Sequence, residues 1–325
     1  KHGAFAFIMC IPRFDCLSQM GVRLEEAGFR IDFSPIYWAY ASGFPKGMNM
    51  GKKVDDLNGS YAGFQPKPAV EVIIVAMKPL SEKSFIDQGL SNGKGVTWLD
   101  DGRIPFQNEN EDTHRIIKVA RFKGDKYAGG SVYDPRNEEG IWESGGDKRG
   151  RFPSNLLVSD DVLNDLYSGA NDSGSFSRYF SLDAWWDKKV KDIPKEVQKT
   201  FPFLLTPKAS RNERNKGLEG MPEKPIKGKY TDASQFGLLE MIQNSPRPTN
   251  KNFHPTVKPI KLFSYMITLG SRVRDIVLDP FLGSGTMGIA CELTNRRWIG
   301  IEINEEYCEI ARARLKPYMA QEVIK

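Results

Sequence analysis

An α/β fold follows from three features of the sequence: a buried strand followed by a helix near its start, alternating helices and strands over residues 255–315, and a glycine-rich turn between one of those strands and the next helix. Residues 4–11 are uninterruptedly apolar and read as a buried strand. Asp15–Gly28 places Leu17, Met20, Val22, Leu24 and Ala27 at roughly helical spacing and closes on glycine, so it reads as a helix. Ile31–Tyr40 is aromatic and β-branched. The stretch ASGFPKGMNMGK (41–52) then breaks into a Gly/Pro turn, and VEVIIVAM (70–77) is the strongest strand signal of the first half. From about 80 to 250 the chain turns to Gly, Asn, Asp, Ser, Pro and charge, with short apolar patches such as NLLV (155–158). The aromatics Trp98, Phe106, Phe122, Tyr127, Trp142, Phe152, Phe180, Trp185 and Trp186 predict that much of this polar insert packs on something. The spacing then predicts a helix over Pro255–Leu269 despite Pro259, a strand over 275–278, a helix over 284–293, a strand over 298–301 and a helix over 305–315. Three segments result: 1–80, 81–250 and 251–325.

With 325 residues, of which 40% are hydrophobic, the chain can bury a sizeable core. Its early apolar run, Gly3–Ile11, is nine residues long, well short of the roughly 20 that span a bilayer. Cys10, Cys16, Cys291 and Cys308 form no C-x-x-C pair, and His2, His114 and His254 are scattered, so neither a metal site nor a disulfide framework is expected and a reducing interior fits. Net charge is a mild +5, but residues 201–260 carry ten Lys/Arg against five Asp/Glu, an excess of the kind that attracts polyanions.

Gly283, Gly285 and Gly288 have the G-x-G-x-x-G spacing that lets a nucleotide approach backbone and helix N-terminus. Glu302, 23 residues after Asp279, suits a carboxylate accepting from ribose hydroxyls. Neither feature separates NAD from S-adenosylmethionine. Asp279-Pro280-Phe281 does, because a carboxylate before the first glycine repels a pyrophosphate and attracts an α-amino group or a sulfonium.

With these residues in view, VLDPFLGSGT (277–286) resembles the cofactor motif of the DNA amino-methyltransferases, which methylate adenine N6 or cytosine N4. NFHPTVKPIKL (252–262) is similar to the family's segment walling the methionine pocket, and WIGIEINEEYCEIARARL (298–315) to its ribose-binding strand and following helix. GAFAFIMCIPR (3–13), IYWAYASGFPKGMNMGK (36–52), KPAVEVIIVAMKPL (67–80) and GRFPSNLLV (150–158) resemble segments of the target-base half. The resemblance implies a Rossmann-like S-adenosylmethionine-dependent methyltransferase fold with a mostly parallel sheet. It is circularly permuted, since the cofactor half (251–325) follows a target-base half (1–80) truncated at its start, and 81–250 is an inserted target-recognition region. It further implies S-adenosylmethionine as cofactor, double-stranded DNA as partner, no metal and no membrane. A prokaryotic or phage cytoplasm is the implied setting, with a restriction-modification role by analogy. Asp279, Pro280, Phe281, Gly283, Ser284, Gly285, Thr286, Glu302, Thr256 and Lys258 become the expected cofactor residues. Phe281 is open between contacting the cofactor and capping the sheet. Ser284 and Thr286 are suited to cap the following helix while lining the pocket. A structural role is preferred for His254 and Lys258 over an acid/base pair. Arg211, Arg214, Lys216 and Lys224 are the expected phosphate contacts.

The family positions the target amine with an Asp/Asn/Ser-Pro-Pro-aromatic motif, whose acceptors align the nitrogen lone pair while the ring stacks on the flipped base. No intact copy occurs here. The motif is expected one strand before GAFAFIMC, upstream of Lys1. The nearest internal candidate, Ser34-Pro35-Ile36-Tyr37, has Ile36 for the second proline and offers Ser34 and Tyr37 as weak catalytic candidates; Asp134-Pro135-Arg136 lacks the aromatic and reads as a turn. Three readings stay open: an adenine-leaning DNA N-methyltransferase, a DNA- or cofactor-binding relic without turnover, and an NAD-dependent oxidoreductase.

Overall fold

The computed structural model describes residues 1–39, 47–64, 69–106, 115–118, 141–144, 149–158, 181–191, 209–225 and 249–319. Much of the expected insert, including Asp134–Arg136 and Phe122, Tyr127 and Phe180, lies outside the described residues. The chain forms β1 (Phe5–Cys10), α1 (Phe14–Glu26), β2 (Ile36–Ala39), β3 (Val70–Met77), α2 (Phe85–Asn92), β4 (Arg115–Lys118), β5 (Ile141–Ser144), β6 (Leu156–Val158), α3 (Leu182–Lys191) and α4 (Arg211–Asn215). It continues with β7 (Lys224–Pro225), β8 (Thr249–Asn250), α5 (Ile260–Gly270), β9 (Ile276–Asp279), α6 (Thr286–Leu293), β10 (Arg297–Gly300) and α7 (Glu305–Met319).

Four strands form one sheet in the order β1-β3-β2-β6. β3 runs antiparallel to both neighbours, with Phe5 opposite Met77 and Ile36 opposite Ile73, while β2 and β6 are parallel, Tyr37 opposite Leu156. The sheet is therefore mixed where a mostly parallel one was expected. β1 and β2 point the same way and are joined through α1, which leaves room for β3 between them, and the return from β2 to β3 needs no crossover helix because antiparallel neighbours can be joined by turns. Flanked on both sides, β3 buries Ile73, Ala76 and Met77 completely, which explains its near-continuous apolar run. β9 and β10 pair in parallel across α6, Val277 opposite Trp298.

α5 is the hub of the core. Ile260, Leu262, Tyr265, Met266, Ile267 and Leu269 are buried, so the helix is enclosed nearly all round. Trp185 of α3 meets Tyr265 edge to face, ring centroids 4.9 Å apart, and a Cβ at Gly270 would stand 2.8 Å from the Phe7 ring of β1. Pro259 does not interrupt the helix, because the helix starts after it and Pro259 occupies the N-cap, where a missing N–H costs nothing. Ion pairs tie the cofactor half to the earlier segments: Lys94 to Asp275 at 2.6 Å, Arg272 to Asp101 at 2.6 Å and Lys258 to Glu71 at 2.5 Å. On β9 and β10 one face packs inward through Val277 and Trp298, while Ile276, Leu278 and Ile299 of the other are exposed.

Candidate functional site

The predicted turn stands between β9 and α6. Asp279 ends the strand, and its Oδ1 accepts the Phe281 amide at 2.9 Å. Leu282 N–H donates to Ile301 O at 2.8 Å and Gly285 N–H to Leu282 O at 3.0 Å, curling the loop back over the tip of β10. Gly283 and Gly285 have φ of 55° and 85°, the left-handed region that side chains rarely adopt. Space adds to the requirement: a Cβ at Gly283 would stand 2.8 Å from His254 Nε2, and one at Gly285 3.1 Å from Ala311 Cβ. Glu302 receives the Gly283 amide at 2.9 Å on Oε2 and the Asn304 amide at 2.8 Å on Oε1. A carboxylate offers about four acceptor positions, so Glu302 can still take ligand hydroxyls.

Two carboxyl groups, Asp279 and Glu302, flank the loop. Burial raises the Asp279 carboxyl above its ordinary value, the Phe281 amide pulls it back, and the nearby Glu302 charge adds to the rise. Both carboxylates lie beside a loop with no cation of its own. His254 closes the other side, its ring 4.6 Å from that of Tyr307. The Thr256 amide donates to its Nδ1 at 3.3 Å. Burial holds this imidazole below its ordinary range although Glu302 opposes the shift, which favours a neutral wall of the pocket rather than a proton carrier.

Behind the loop lies a buried polar cluster. Arg314 of α7 has no exposed surface and donates to Ser284 O at 2.6 Å, Ser284 Oγ at 3.0 Å, Thr286 Oγ1 at 3.4 Å and Glu213 O at 3.4 Å. Glu213 Oε1 accepts the Ile260 amide that opens α5 at 2.7 Å. Burial pushes the Glu213 carboxyl up to about 7, against the pull of that amide and of Arg314, and brings the Arg314 guanidinium down to about 10. Arg214 Nη2 donates to His254 O at 2.7 Å and to Asn252 O at 3.3 Å.

The structure thus brings together Asp279, Gly283, Ser284, Gly285, Thr286 and Glu302, with exposed Pro280 and Phe281 at the turn and Thr256 beside His254. Phe281 is 86% exposed and caps no sheet. Ser284 and Thr286 do not cap α6, whose N-cap is Gly285 with no side-chain hydrogen bond; their hydroxyls face Arg314 instead. Lys258 is held by Glu71 of β3. Lys258→Met is expected to lower the unfolding free energy by about 1–2 kcal/mol in urea denaturation, since hydrogen bonds to charged groups contribute somewhat more than neutral ones, and an unchanged midpoint would show that the pair contributes nothing.

Of the four expected phosphate contacts, Arg214 is directed inward, against the carbonyls of Asn252 and His254. Lys216 lies half-buried over the Tyr318 ring. Neither placement suits a phosphate contact. Arg211 pairs with Glu223 at 2.9 Å and Lys224 with Glu306 at 2.7 Å, both at the surface. Ser34 precedes β2 and Tyr37 lies in it, in a strand bracketed by β3 and β6. Sequence reasoning passed over Glu213, Asn252, Tyr307 and Arg314. Two signals were present: Arg314 shares a helical face with Ile310, Ala311, Leu315 and Tyr318, an odd position for a cation, and Ser210-x-x-Glu213 has the capping-box spacing. In the structure Ser210 Oγ caps α4 by accepting the Glu213 amide at 3.0 Å, while the Glu213 carboxylate turns to α5. Among the described residues no group of three His, Cys, Asp or Glu could hold a metal ion, and no helix is long and apolar enough to cross a membrane.

Among known proteins, the family described as DNA methylase, of the N6/N4 type, matches residues 34–313. The chain is similar to the Type II methyltransferase M.HpaI of Haemophilus parainfluenzae, 53% identical over 66 residues covering 20% of this chain and 21% of that protein. It is also similar to the orphan methyltransferase M.BamHII of Bacillus amyloliquefaciens, 50% identical over 180 residues covering 48% of this chain and 63% of that protein. A third relative is the DNA adenine methyltransferase YhdJ of Escherichia coli K12, 45% identical over 115 residues covering 28% of this chain and 39% of that protein. The matches therefore span less than two thirds of each relative's length.

Proposed function

The chain belongs to the N6/N4 DNA methylase family, and on that premise we propose that it transfers a methyl group from S-adenosylmethionine to the exocyclic amine of a base in double-stranded DNA, with adenine N6 as the acceptor. The observation that carries the cofactor assignment is the pair of carboxylates, Asp279 and Glu302, in front of a glycine loop that has no Lys or Arg of its own and whose bonded cation, Arg314, is buried behind it. A pyrophosphate would meet both negative charges, whereas an amino acid cation and ribose hydroxyls complement them, and this sets an NAD-dependent oxidoreductase aside. The donor set also fits: left-handed Gly283 and Gly285 keep the backbone bare, and the uncapped first amides of α6 are free to meet a carboxylate.

In this reading S-adenosylmethionine, when bound, supplies an electrophilic methyl group. Asp279 attracts the cation at the methionine end, Glu302 accepts from the ribose, and the neutral ring of His254, braced by Tyr307, bars water from the Gly283 side. Phe281 is proposed to contact the ligand, a role its exposure at the turn supports. Arg211 and Lys224 are the proposed phosphate contacts at the surface, exchanging Glu223 and Glu306 for the DNA backbone, which would give affinity that is sensitive to salt and blind to sequence. The adenine assignment leans on YhdJ, and a prokaryotic setting on the bacterial relatives. The amine-aligning motif is proposed to lie one strand ahead of β1 in chain order. Ser34 and Tyr37 are the alternative.

The deciding experiment incubates the protein, as residues 1–325 and as encoded by its full gene, with plasmid DNA and radiolabelled S-adenosylmethionine, then identifies the labelled nucleoside. Label in N6-methyladenine is expected. Label in N4-methylcytosine would overturn the base assignment, and no label from either form with cofactor binding intact would support a binding relic.

A further inference from the structure

We infer that Arg314 is a positioning residue for the cofactor loop and that Glu213, from the segment expected to recognise DNA, holds it there. The inference rests on the loop binding S-adenosylmethionine, as proposed above. A buried guanidinium costs several kcal/mol of lost hydration unless its hydrogens find acceptors, and an apolar side chain would fill the same volume on α7 at no such cost. The acceptors Arg314 finds are concentrated on the loop. Three of its four contacts go to Ser284 and Thr286, on either side of Gly285. The carbonyl of Ser284 is thereby held on the α7 side, where Ala311 already stands 3.2 Å by its Cα from the position of a Gly285 Cβ. All three contacts come from Nη1, whose two hydrogens are shared among the Ser284 carbonyl and the two hydroxyls. The loop is thus pressed by His254 at Gly283 and held from behind by Arg314 at Ser284 and Thr286.

Glu213 completes the arrangement. It is 5% exposed, its carbonyl accepts from Arg314 Nη2, its carboxylate accepts the first amide of α5, and its charge favours the Arg314 cation. The adjoining Arg214 and Asn215 grip the segment before α5 through Asn252 and His254. Residues 210–215 are therefore part of the cofactor pocket's frame, although they lie within the stretch 81–250 assigned by sequence to target recognition.

The test compares the wild type with Arg314→Met, Arg314→Lys and Glu213→Gln by two measurements: calorimetric affinity for S-adenosylhomocysteine below each variant's melting temperature, and amide hydrogen exchange across the chain. Arg314→Met is expected to weaken binding at least tenfold and to speed exchange at residues 283–287, while β1 and β3 stay protected. Arg314→Lys, a compact charge without the planar fork, should recover only part of the loss. Glu213→Gln keeps an acceptor for Ile260 and removes the charge, so a several-fold loss confined to the same loop is expected. If Arg314→Met does not fold, the other two variants decide by the same criteria. Unchanged affinity and unchanged loop exchange, or exchange rising evenly through the protein, would reduce Arg314 to a general packing residue and overturn the inference. A wild type that binds no S-adenosylhomocysteine would instead sink the cofactor reading, and loop exchange alone would still decide whether Arg314 positions the turn.

Discussion

Gly283→Ala is expected to lower affinity for S-adenosylhomocysteine by about 30-fold or more while the rest of the protein stays folded. Two costs add at this position. A residue with a Cβ loses about 1–2 kcal/mol in the left-handed conformation, and Gly283 has φ of 55°. The new methyl group would also stand 2.8 Å from His254 Nε2, and forcing such a side chain aside costs about 1–3 kcal/mol. Together they amount to about 2–5 kcal/mol, at about 1.4 kcal/mol per tenfold. Relief comes through the most local distortion available, a shift of the loop that lifts the Gly283 amide off Glu302. Titration calorimetry on a variant with native circular dichroism measures it. Affinity within threefold of wild type would show that the loop does not form the ligand's seat.

Asp279→Ala is the second large effect, at least tenfold on the same affinity, because a hydrogen bond to a charged group contributes about 1.5–3 kcal/mol and Asp279 also holds the Phe281 amide. The pH dependence has a definite sign. Burial raises the folded-state value of Asp279 above its ordinary one, so its contribution to stability is complete at low pH, where folded and unfolded states are both protonated. It is lost as pH rises through the raised value, when the buried group must ionise. A bound cation compensates that charge. The rise in melting temperature produced by saturating S-adenosylhomocysteine should therefore be larger at neutral pH than near pH 4, the ordinary range of an aspartate, and the difference should shrink in Asp279→Asn. A ligand-induced shift independent of pH in the wild type would remove Asp279 from the site.

The outer parts of the fold were legible because their signals are local. β1, α1, β3, β9, α6 and β10 follow from apolar runs, helical spacing and the glycine turn, and their ends differ from expectation by only a residue or two, whereas α2, α3 and α4 gave no such signal. α5 starts five residues later than the spacing predicts, because Pro259 sets its boundary instead of lying inside the helix. The carboxylates and glycines of the loop could be read because their spacing to each other is short. The polar frame behind them could not: Glu213 and Arg314 are 101 residues apart and Glu71 and Lys258 are 187 apart, and only the folded chain reveals which charge answers which. Arg214 and Lys216 illustrate the same limit. Counting them in a basic stretch says nothing about whether the side chain turns outward, and these two are spent on a carbonyl pair and an aromatic ring.

The enclosure of α5 has a kinetic consequence. Its wrapping comes from strands near the start of the chain, from α3 in the middle and from α6 near the end, so neither end of the sequence can bury its apolar surface alone. Such long-range closure makes for slow folding, because loop entropy must be lost before any contact repays it. On the ribosome the first sheet, completed by β6 at Leu156–Val158, would still wait about a hundred residues for the helix that begins at Ile260. Chaperone demand, and loss to aggregation when synthesis outruns it, would be set less by the stability of the finished protein than by the length of that wait.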